Sequence, residues 1–212
     1  MTDTQEKITG ILLAGGQSRR MGQNKGLIPV GDRLLYQYPL RILESLCDEI
    51  LVSTCTPLEL EEKHEQVCDE IPGAGPAGGI LTCLERATHD LTVVVSWDMP
   101  LLHEALFRML LDHARFPAHQ DRADTSSNQH CDIILPAPPD GRPEPLCGIY
   151  RKGAAKVFRQ MLSQGTLAVH RIVRQAKTKI VPVGPPLPFY HDRLFENVNS
   201  REDLESLRQR LH

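Results

Sequence analysis

The sequence lacks the features that mark secreted, membrane-spanning and zinc-binding proteins. No apolar run approaches the ~20 residues that a membrane helix needs. The opening residues, MTDTQEKITG, are polar and acidic without an apolar centre, so they resemble neither a signal peptide nor a transit peptide. Six cysteines are scattered along the chain with no C-x-x-C pair, which argues against a zinc site and a disulfide framework. We therefore expect a cytoplasmic protein with reduced thiols.

The sequence also lacks a large excess of charge of either sign. The 24 Lys and Arg residues are balanced by 27 Asp and Glu residues, which gives a formal net charge of −3. Without a broad basic surface, the chain has no field with which to hold nucleic acid or an acidic membrane, and we expect neither as a partner. Internal repeats are absent as well. The basic groups are therefore local, as a small anionic substrate requires.

What the sequence does contain is enough apolar residues for one complete core. A length of 212 residues with 41% hydrophobic content suits a single α/β domain, which we predict to span 1–212. Short aliphatic runs alternate with helical patterns, and this alternation predicts a mostly parallel sheet with helices on both faces. Ligands of such sheets bind at the carboxyl ends of the strands.

The predicted elements follow from apolar spacing and from breaker residues. Strands are predicted at residues 9–14, 49–54, 66–69, 91–96, 132–136, 145–150 and 179–183. Helices are predicted at residues 34–46, 56–65, 80–87, 103–115, 153–162, 167–175 and 201–211. The strand at 145–150 is expected to be antiparallel, and Ser200 with Asp203 should form a capping box for the last helix. An irregular loop is expected at 71–79, a flexible insertion at 116–131 and an extended tail at 195–200.

One stretch, LLAGGQSRRMGQNKGL at residues 12–27, predicts a phosphate-binding loop. It follows an aliphatic strand, and Gly15-Gly16 removes the side chains there, so that a ligand can approach the main chain. Successive backbone N–H groups can then converge on an anion, and three side chains add full charges around it: Arg19, Arg20 and Lys25. The spacing matches neither G-x-G-x-x-G nor the G-K-[ST] ending of a P-loop. An ordinary turn with solvated basic residues is the alternative, but the pattern favours a polyphosphate ligand.

A lone aspartate, Asp98, directly follows the strongest strand pattern, at 91–96. The Mg²⁺ that accompanies a nucleoside triphosphate prefers one or two carboxylates together with phosphates and waters. Asp98 is therefore the candidate metal ligand, and a purely structural turn before Pro100 is the alternative. The nine histidines lie mostly in polar stretches without an evident acid or base partner, and we interpret them as surface residues.

Three short motifs together carry a resemblance to a known family: Leu13-Ala14-Gly15-Gly16, Arg20-Met21-Gly22 and Lys25-Gly26-Leu27. They resemble the signature of the Rossmann-like nucleotidyltransferases, and most of all that of the molybdenum cofactor guanylyltransferases. That family transfers GMP from GTP to the terminal phosphate of molybdopterin and releases pyrophosphate. The resemblance implies an α/β fold, a Rossmann-like three-layer sandwich of the nucleotide-diphospho-sugar transferase type. It also implies a nucleotide-binding half at 1–100 and an acceptor-binding half at 101–212.

The chain departs from the family pattern at two places. Asn24 stands where the family usually has an aspartate before the lysine. Ser96-Trp97 precedes Asp98, where small residues or cysteine are often found. Trp97 either crowds the site or stacks on a ring of a ligand, and the sequence leaves both roles open.

The resemblance implies catalytic and nucleotide-binding residues. The implied catalytic residues are Lys25, Arg20 and Asp98. The implied nucleotide-binding residues are Leu13, Ala14, Gly15, Gly16, Arg19, Lys25, Asp69, Gly75 and Asp98. The implied cofactor is Mg²⁺, held by Asp98, which with Lys25 would stabilise the α-phosphate while the basic loop holds the departing pyrophosphate.

The implied acceptor site lies in the second half of the chain. The tail FENVNS at 195–200 resembles the asparagine-x-asparagine-threonine segment of the family, and alternate residues of an extended chain point the same way. Asn197 and Asn199 are therefore candidates for binding the acceptor, unless they only form an Asx-rich entry to the last helix. Arg171 is a third candidate, with Arg142 and Arg174 as further basic groups, although arginine on a helix is usually solvated.

The expected partners are GTP and molybdopterin, with transient contacts to proteins that deliver molybdopterin and to molybdoenzyme chaperones. Guanine is assigned by analogy, because Ala14-Gly15-Gly16 stands where the cytidylyl relatives commonly have alanine-alanine-glycine. The alternatives are CTP-dependent transfer to molybdopterin, transfer to a sugar or polyol phosphate, and a GTP-binding module without turnover.

Overall fold

A computed structural model describes residues 6–15, 25–116 and 131–210 of the chain. The strands are β1 (Ile8–Leu13), β2 (Pro29–Val30), β3 (Arg33–Leu34), β4 (Glu49–Thr54), β5 (Glu65–Cys68), β6 (Leu91–Ser96), β7 (Ile133–Ala137), β8 (Cys147–Arg151) and β9 (Thr178–Pro182). The helices are α1 (Gln37–Leu46), α2 (Pro76–Arg86), α3 (Glu104–Arg115), α4 (Ala155–Ser163), α5 (Val169–Val173) and α6 (Arg201–Arg208). Short 3₁₀ turns lie at Lys25–Leu27 and Lys152–Ala154.

Seven of the strands form one sheet in the order β5-β4-β1-β6-β8-β7-β9, and β2 pairs with β3 in a separate hairpin. β1 lies between β4 and β6 and is parallel to both. β5 and β9 extend the sheet in the same sense, whereas β8 is antiparallel to both of its neighbours. The order confirms the predicted mostly parallel sheet and the added antiparallel strand. Because parallel strands end at the same edge, the ends of β1, β4, β5 and β6 share one rim.

Two apolar layers cover the faces of the sheet. Leu43 of α1 and Phe107 of α3 pack on one face, while Ile80 of α2 and Phe158 of α4 pack on the other. β1 and β6 are buried at every position, as expected for parallel strands covered on both faces. Burial of each large apolar side chain stabilises the fold by roughly 1.5–3 kcal/mol. Helix α6 packs apart from both layers, with Leu207 against the β2–β3 hairpin.

The predicted helix at 56–65 is wrong. Between β4 and β5 the chain is irregular, and its backbone groups are satisfied by side chains from elsewhere. The Leu58 N–H donates to Gln66 Oε1 at 2.8 Å, and Gln66 Nε2 donates to the Leu58 carbonyl at 2.7 Å. The Glu61 N–H donates to the hydroxyl of buried Tyr36 at 3.1 Å. These partners meet the requirement for buried hydrogen bonding without a helix.

Helix α2 begins four residues before the predicted start at Ile80, so that the predicted irregular loop at 71–79 is partly helical. Gly75 precedes the helix with a φ of +60°, and Pro76 takes the first helical position, where its missing N–H costs nothing. The glycines inside the first turn are needed for close packing. A Cβ on Gly79 would lie 2.1 Å from Ser53 Oγ, so only glycine lets α2 approach β4 this closely.

The C-terminal elements are close to the prediction. The tail at 195–200 is irregular and forms no strand with the described part of the chain. Ser200 and Asp203 form the predicted capping box, and α6 ends at Arg208, before the predicted end. Most of the predicted insertion at 116–131 lies outside the described residues. All six cysteines are free thiols. Within the described ranges, none of the helices combines the length and apolar character of a membrane span.

Candidate active site

A cleft of about 540 Å³ opens where β1, β4 and β5 end. Its lining includes Leu13, Ala14, Gly15, Asp69 and Gly75, which are predicted nucleotide-binding residues, together with the ends of β4 and β5. The volume falls in the range of small-molecule sites, roughly 300–1,000 Å³. Three other predicted residues of the loop lie outside the described residues: Gly16, Arg19 and Arg20.

Asp69 provides the acidic group of this cleft. Its half-buried carboxylate accepts a hydrogen bond from Ser53 Oγ at 3.2 Å, and the Cys55 thiol lies 3.9 Å from its other oxygen. Burial raises the pKa of Asp69, and the hydrogen bonds from Ser53 and Cys55 only partly oppose that effect. Sequence reasoning missed Ser53 and Cys55 as lining residues. The available signal was their position at the carboxyl end of a strand beside β1.

Lys25 and Asp98, both predicted site residues, are in direct contact. The Lys25 ammonium lies 2.7 Å from Asp98 Oδ2 and 2.8 Å from the side-chain oxygen of Asn199. Asp98 Oδ1 accepts a hydrogen bond from Ser96 Oγ at 2.6 Å, so both carboxylate oxygens have partners. Lys25 is only 7% exposed, and the Asp98 side chain is 17% exposed. The pair is therefore shielded from solvent more than an ordinary surface ion pair, which strengthens its attraction.

Trp97 belongs to the core beside this pair. Its indole is 4% exposed, and a Cβ built on Gly26 would lie 2.1 Å from the indole Cε3. The backbone N–H of Trp97 donates to the Leu13 carbonyl at 3.2 Å, which ties the end of β6 to β1. Of the two roles that the sequence left open, crowding of the site and stacking on a ligand ring, the buried indole supports neither. It instead fixes the turn that carries Lys25.

The predicted acceptor residues are not brought together. Asn199 contacts Lys25, whereas the half-buried side chain of Asn197 makes no hydrogen bond with the described residues. Arg171 is exposed on α5, and Arg174 lines a separate recess of about 310 Å³ near Pro143. The acceptor-binding roles therefore stay predictions.

No group of three or more His, Cys, Asp or Glu side chains with the spacing of a metal site occurs within 6–15, 25–116 and 131–210. Asp98 is therefore not part of a cluster of three such groups in these ranges, and its side-chain partners there are Lys25 and Ser96. The departure at Asn24 lies outside these ranges.

Comparison with known proteins identifies the family to which the chain belongs. The family model for the MobA-like NTP transferase domain matches residues 10–180. A probable molybdenum cofactor guanylyltransferase of Carboxydothermus hydrogenoformans is 30% identical over 203 residues, 95% of each chain. A molybdenum cofactor guanylyltransferase of Desulfosudis oleivorans is 26% identical over 208 residues, 94% of each chain.

A solved structure has the same fold. The crystal structure of molybdopterin-guanine dinucleotide biosynthesis protein A from Archaeoglobus fulgidus superimposes with a TM-score of 0.77 and 21% identity. The match covers 95% of this chain and 97% of that one. The predicted Rossmann-like nucleotidyltransferase fold is confirmed.

Proposed function

Because this chain belongs to the family of MobA-like NTP transferases, we propose that it transfers GMP from GTP to the terminal phosphate of molybdopterin and releases pyrophosphate. Two relatives that align with nearly the whole chain carry the name molybdenum cofactor guanylyltransferase. The observation that supports the reaction here is the shielded contact of 2.7 Å between Lys25 and Asp98 at the rim of the sheet.

The nucleoside is proposed to occupy the cleft of about 540 Å³. Asp69 would accept hydrogen bonds from the nucleoside, because the half-buried carboxylate retains lone pairs beyond the one used by Ser53. Gly15 and Gly75 carry no side chains at the mouth of the cleft, so the main chain can approach the ligand there. We assign guanine from the names of the relatives.

Nucleotidyl transfer needs positioning and charge neutralisation more than it needs acid–base catalysis. The acceptor phosphate is already an anionic nucleophile at neutral pH, so no general base is required. The Lys25 ammonium supplies a fixed positive charge for the α-phosphate, and its held position means that little reorganisation accompanies the reaction. Arg19, Arg20 and the amide of Gly16 are proposed to hold the departing pyrophosphate.

Asp98 fits the role of a Mg²⁺ ligand. Mg²⁺ binds through one or two carboxylates and completes its shell with phosphates and waters, so the single carboxylate of Asp98 would be enough to hold it beside a bound triphosphate. The Asp98 side chain is 17% exposed, so part of it is open to solvent. When bound, the ion neutralises charge on the reacting phosphates. The protein's own contribution is to hold the Asp98 carboxylate through Ser96 and Lys25.

The acceptor half remains the least constrained part of the proposal. Asn199 uses its side-chain oxygen for Lys25, which leaves the amide N–H groups to donate to an anionic acceptor. Asn197 and Arg171 are proposed as further acceptor contacts. Scattered free thiols favour a reducing compartment, so we place the reaction in the cytoplasm, with transient contacts to proteins that deliver molybdopterin.

The proposal is tested by pyrophosphate release with GTP or CTP, each with Mg²⁺ and the molybdopterin cofactor. We expect release with GTP, and loss of that release in the Asp98→Ala variant. Release with CTP alone would move the assignment to cytidylyl transfer. Binding of GTP without release would favour a module that has lost turnover.

A further inference from the structure

The Lys25 ammonium makes a second contact besides the one with Asp98, and that contact comes from the C-terminal tail. Asn199 lies 174 positions from Lys25 in the sequence, yet its side-chain oxygen is 2.8 Å from the ammonium nitrogen. Asn199 is exposed and precedes a helix rather than lying inside one. An exposed coil residue holds a fixed geometry only when its backbone is tied down. The structure shows two such ties, one at Val198 and one at the backbone N–H groups of Asn199 and Ser200.

The first tie joins the tail to the end of β6. The Val198 N–H donates to the Asp98 carbonyl at 2.9 Å. The Val198 side chain is 2% exposed and packs with Leu204 and Leu207 of α6. The residue that precedes Asn199 is therefore anchored both to the backbone of Asp98 and to an apolar cluster.

The second tie is Asp203. One oxygen of its carboxylate accepts the N–H of Asn199 at 2.7 Å and the N–H of Ser200 at 2.8 Å. A capping box requires only the bond to the N-cap residue, which is Ser200, together with the return bond from the Asp203 N–H to Ser200 Oγ at 3.1 Å. The bond to Asn199 is additional to that requirement.

The charge of Asp203 is also felt by the site. The pKa of Asp203 is lowered, first by the hydrogen bond from the Asn199 N–H and, among smaller causes, by the positive charge of Lys25. Asp203 therefore adds negative potential near the ammonium that Asp98 and Asn199 hold.

We propose that Asp203 is a positioning residue of the active site: through the backbone of Asn199, it places the amide oxygen that receives the Lys25 ammonium. The catalytic consequence rests on the proposed function, since Lys25 must act on the nucleotide for its position to matter. The contact itself does not rest on it. The competing explanation is that Asp203 only starts helix α6.

Two matched variants separate these explanations. Ser200→Ala breaks the capping box but leaves the bond from the Asn199 N–H to Asp203. Asp203→Ala breaks the box and that bond as well. Both substitutions remove the cap, so the start of α6 should be weakened to a similar degree in the two variants. If Asp203 only caps helix α6, the two substitutions should change the reactivity of the Lys25 amine equally.

The first readout is the rate at which acetic anhydride labels Lys25 in the protein alone, measured by mass spectrometry of the Lys25 peptide. We expect Asp203→Ala to raise the rate roughly fivefold, the scale of one hydrogen bond, and Ser200→Ala to leave it near the wild-type rate. Asn199→Ala should give the same rise as Asp203→Ala. Equal rates in Asp203→Ala and Ser200→Ala, whether raised or unchanged, would overturn the proposal.

The second readout is GMP transfer. We expect kcat to fall roughly tenfold in Asp203→Ala with little change in the KM for GTP, because Lys25 acts on the charge that develops during transfer. If Asp203→Ala does not fold, Asp203→Asn is used, because its neutral carbonyl accepts the same N–H more weakly. We expect Asp203→Asn to raise the labelling rate of Lys25 more than Ser200→Ala does. A rise no larger than that of Ser200→Ala would contradict the proposal. Failure of wild-type turnover would reject the proposed function, while the labelling comparison would still decide the role of Asp203.

Discussion

Lys25 and Asp98 lie 73 positions apart in the sequence, and their charged atoms are 2.7 Å apart in the fold. The turn at Lys25–Leu27 brings the lysine to the carboxyl end of β6, where Asp98 follows. One cation and one carboxylate are thus held together at the same edge of the sheet as the cleft, although neither residue is among those that line it.

Removal of the Lys25 charge should abolish most of the turnover. We expect Lys25→Met to lower kcat/KM for GMP transfer by about 100- to 1,000-fold, the loss typical of a fixed group that stabilises developing charge. The measurement is steady-state pyrophosphate release. The matched control is Lys156→Met, which removes an exposed lysine on α4 and should leave activity unchanged. Similar losses in the two variants would show that the position of the charge does not matter.

Gly26 should tolerate no side chain while Trp97 is present. A Cβ at this position would lie 2.1 Å from the indole, so either the ring or the Lys25 turn must move. We expect Gly26→Ala to lower the free energy of unfolding by about 1–3 kcal/mol, the usual cost of overpacking. Urea denaturation gives the value. In a Trp97→Ala background the same substitution should cost much less, and an equal cost in both backgrounds would show that the two residues do not interact.

The ionised carboxylate of Asp69 should lower the stability of the protein while it contributes to the binding of GTP. Burial raises the pKa of the Asp69 carboxyl, so the native protein binds this proton more tightly than the unfolded chain does. The free energy of unfolding therefore falls as pH rises from the ordinary carboxyl pKa through the raised pKa of Asp69. At neutral pH the ionised carboxylate destabilises the native protein. Asp69→Asn should raise Tm at neutral pH, and this advantage should shrink as pH falls toward the ordinary carboxyl pKa.

The same variant should bind GTP about tenfold more weakly, because a charged acceptor is replaced by a neutral one. Calorimetric titration measures the affinity. Asp140→Asn, which changes an exposed carboxylate outside the cleft, is the control and should alter neither quantity. A drop in Tm together with unchanged GTP binding would assign Asp69 a structural role only.

The Tyr36 hydroxyl should hold in place the segment after β4 that forms one wall of the cleft. Its buried hydroxyl donates to Glu62 at 2.6 Å and accepts the Glu61 N–H, and so pins the irregular segment that follows β4. Tyr36→Phe should destabilise the protein by about 1–3 kcal/mol, because it leaves the Glu61 N–H without its partner. It should also raise the KM for GTP, since Thr56 and Leu58 of this segment line the cleft.

The control for this prediction is Tyr190→Phe. In the wild-type protein, the Tyr190 hydroxyl makes one long hydrogen bond, of 3.3 Å, to Asp192. That variant should stay close to wild type in chemical denaturation and in KM. Equal behaviour of the two variants would mean that the cleft wall does not depend on Tyr36.

The strands of the seven-stranded sheet were predictable because local patterns decide them, whereas the β2–β3 hairpin was not predicted and Leu34, the predicted start of the first helix, belongs to β3. The bounds of β4 and β6 agree with prediction at both ends, since each is a short aliphatic run that ends at a small polar residue. The segment at 56–65 was not predictable from its own residues. Its backbone partners, Gln66 and Tyr36, lie outside it, so tertiary hydrogen bonds override a weak helical pattern.

The start of α2 was missed for a related reason. Glycines usually indicate a loop, but Gly79 is present because the helix must approach Ser53. That requirement becomes visible only when β4 and α2 are placed side by side.

The site residues were predictable one at a time, and their contacts were not. Motifs indicated Lys25 and Asp98 separately, and the tail indicated Asn199 as an acceptor contact. The link from Asn199 to Lys25 spans 174 positions, and no local pattern carries it. Asp203 was predicted as a capping residue, which it is, but its bond to the Asn199 N–H requires the folded tail.

The most direct test of the account is the product of the reaction. Purified protein is incubated with GTP labelled at the α-phosphate, Mg²⁺ and the molybdopterin cofactor, and the label is followed by chromatography and mass spectrometry. We predict that the label appears in a molybdopterin guanine dinucleotide, in equal amount to the pyrophosphate released, and that Lys25→Met greatly reduces both. Pyrophosphate without labelled dinucleotide, or GTP bound and recovered intact, would contradict the proposed transfer.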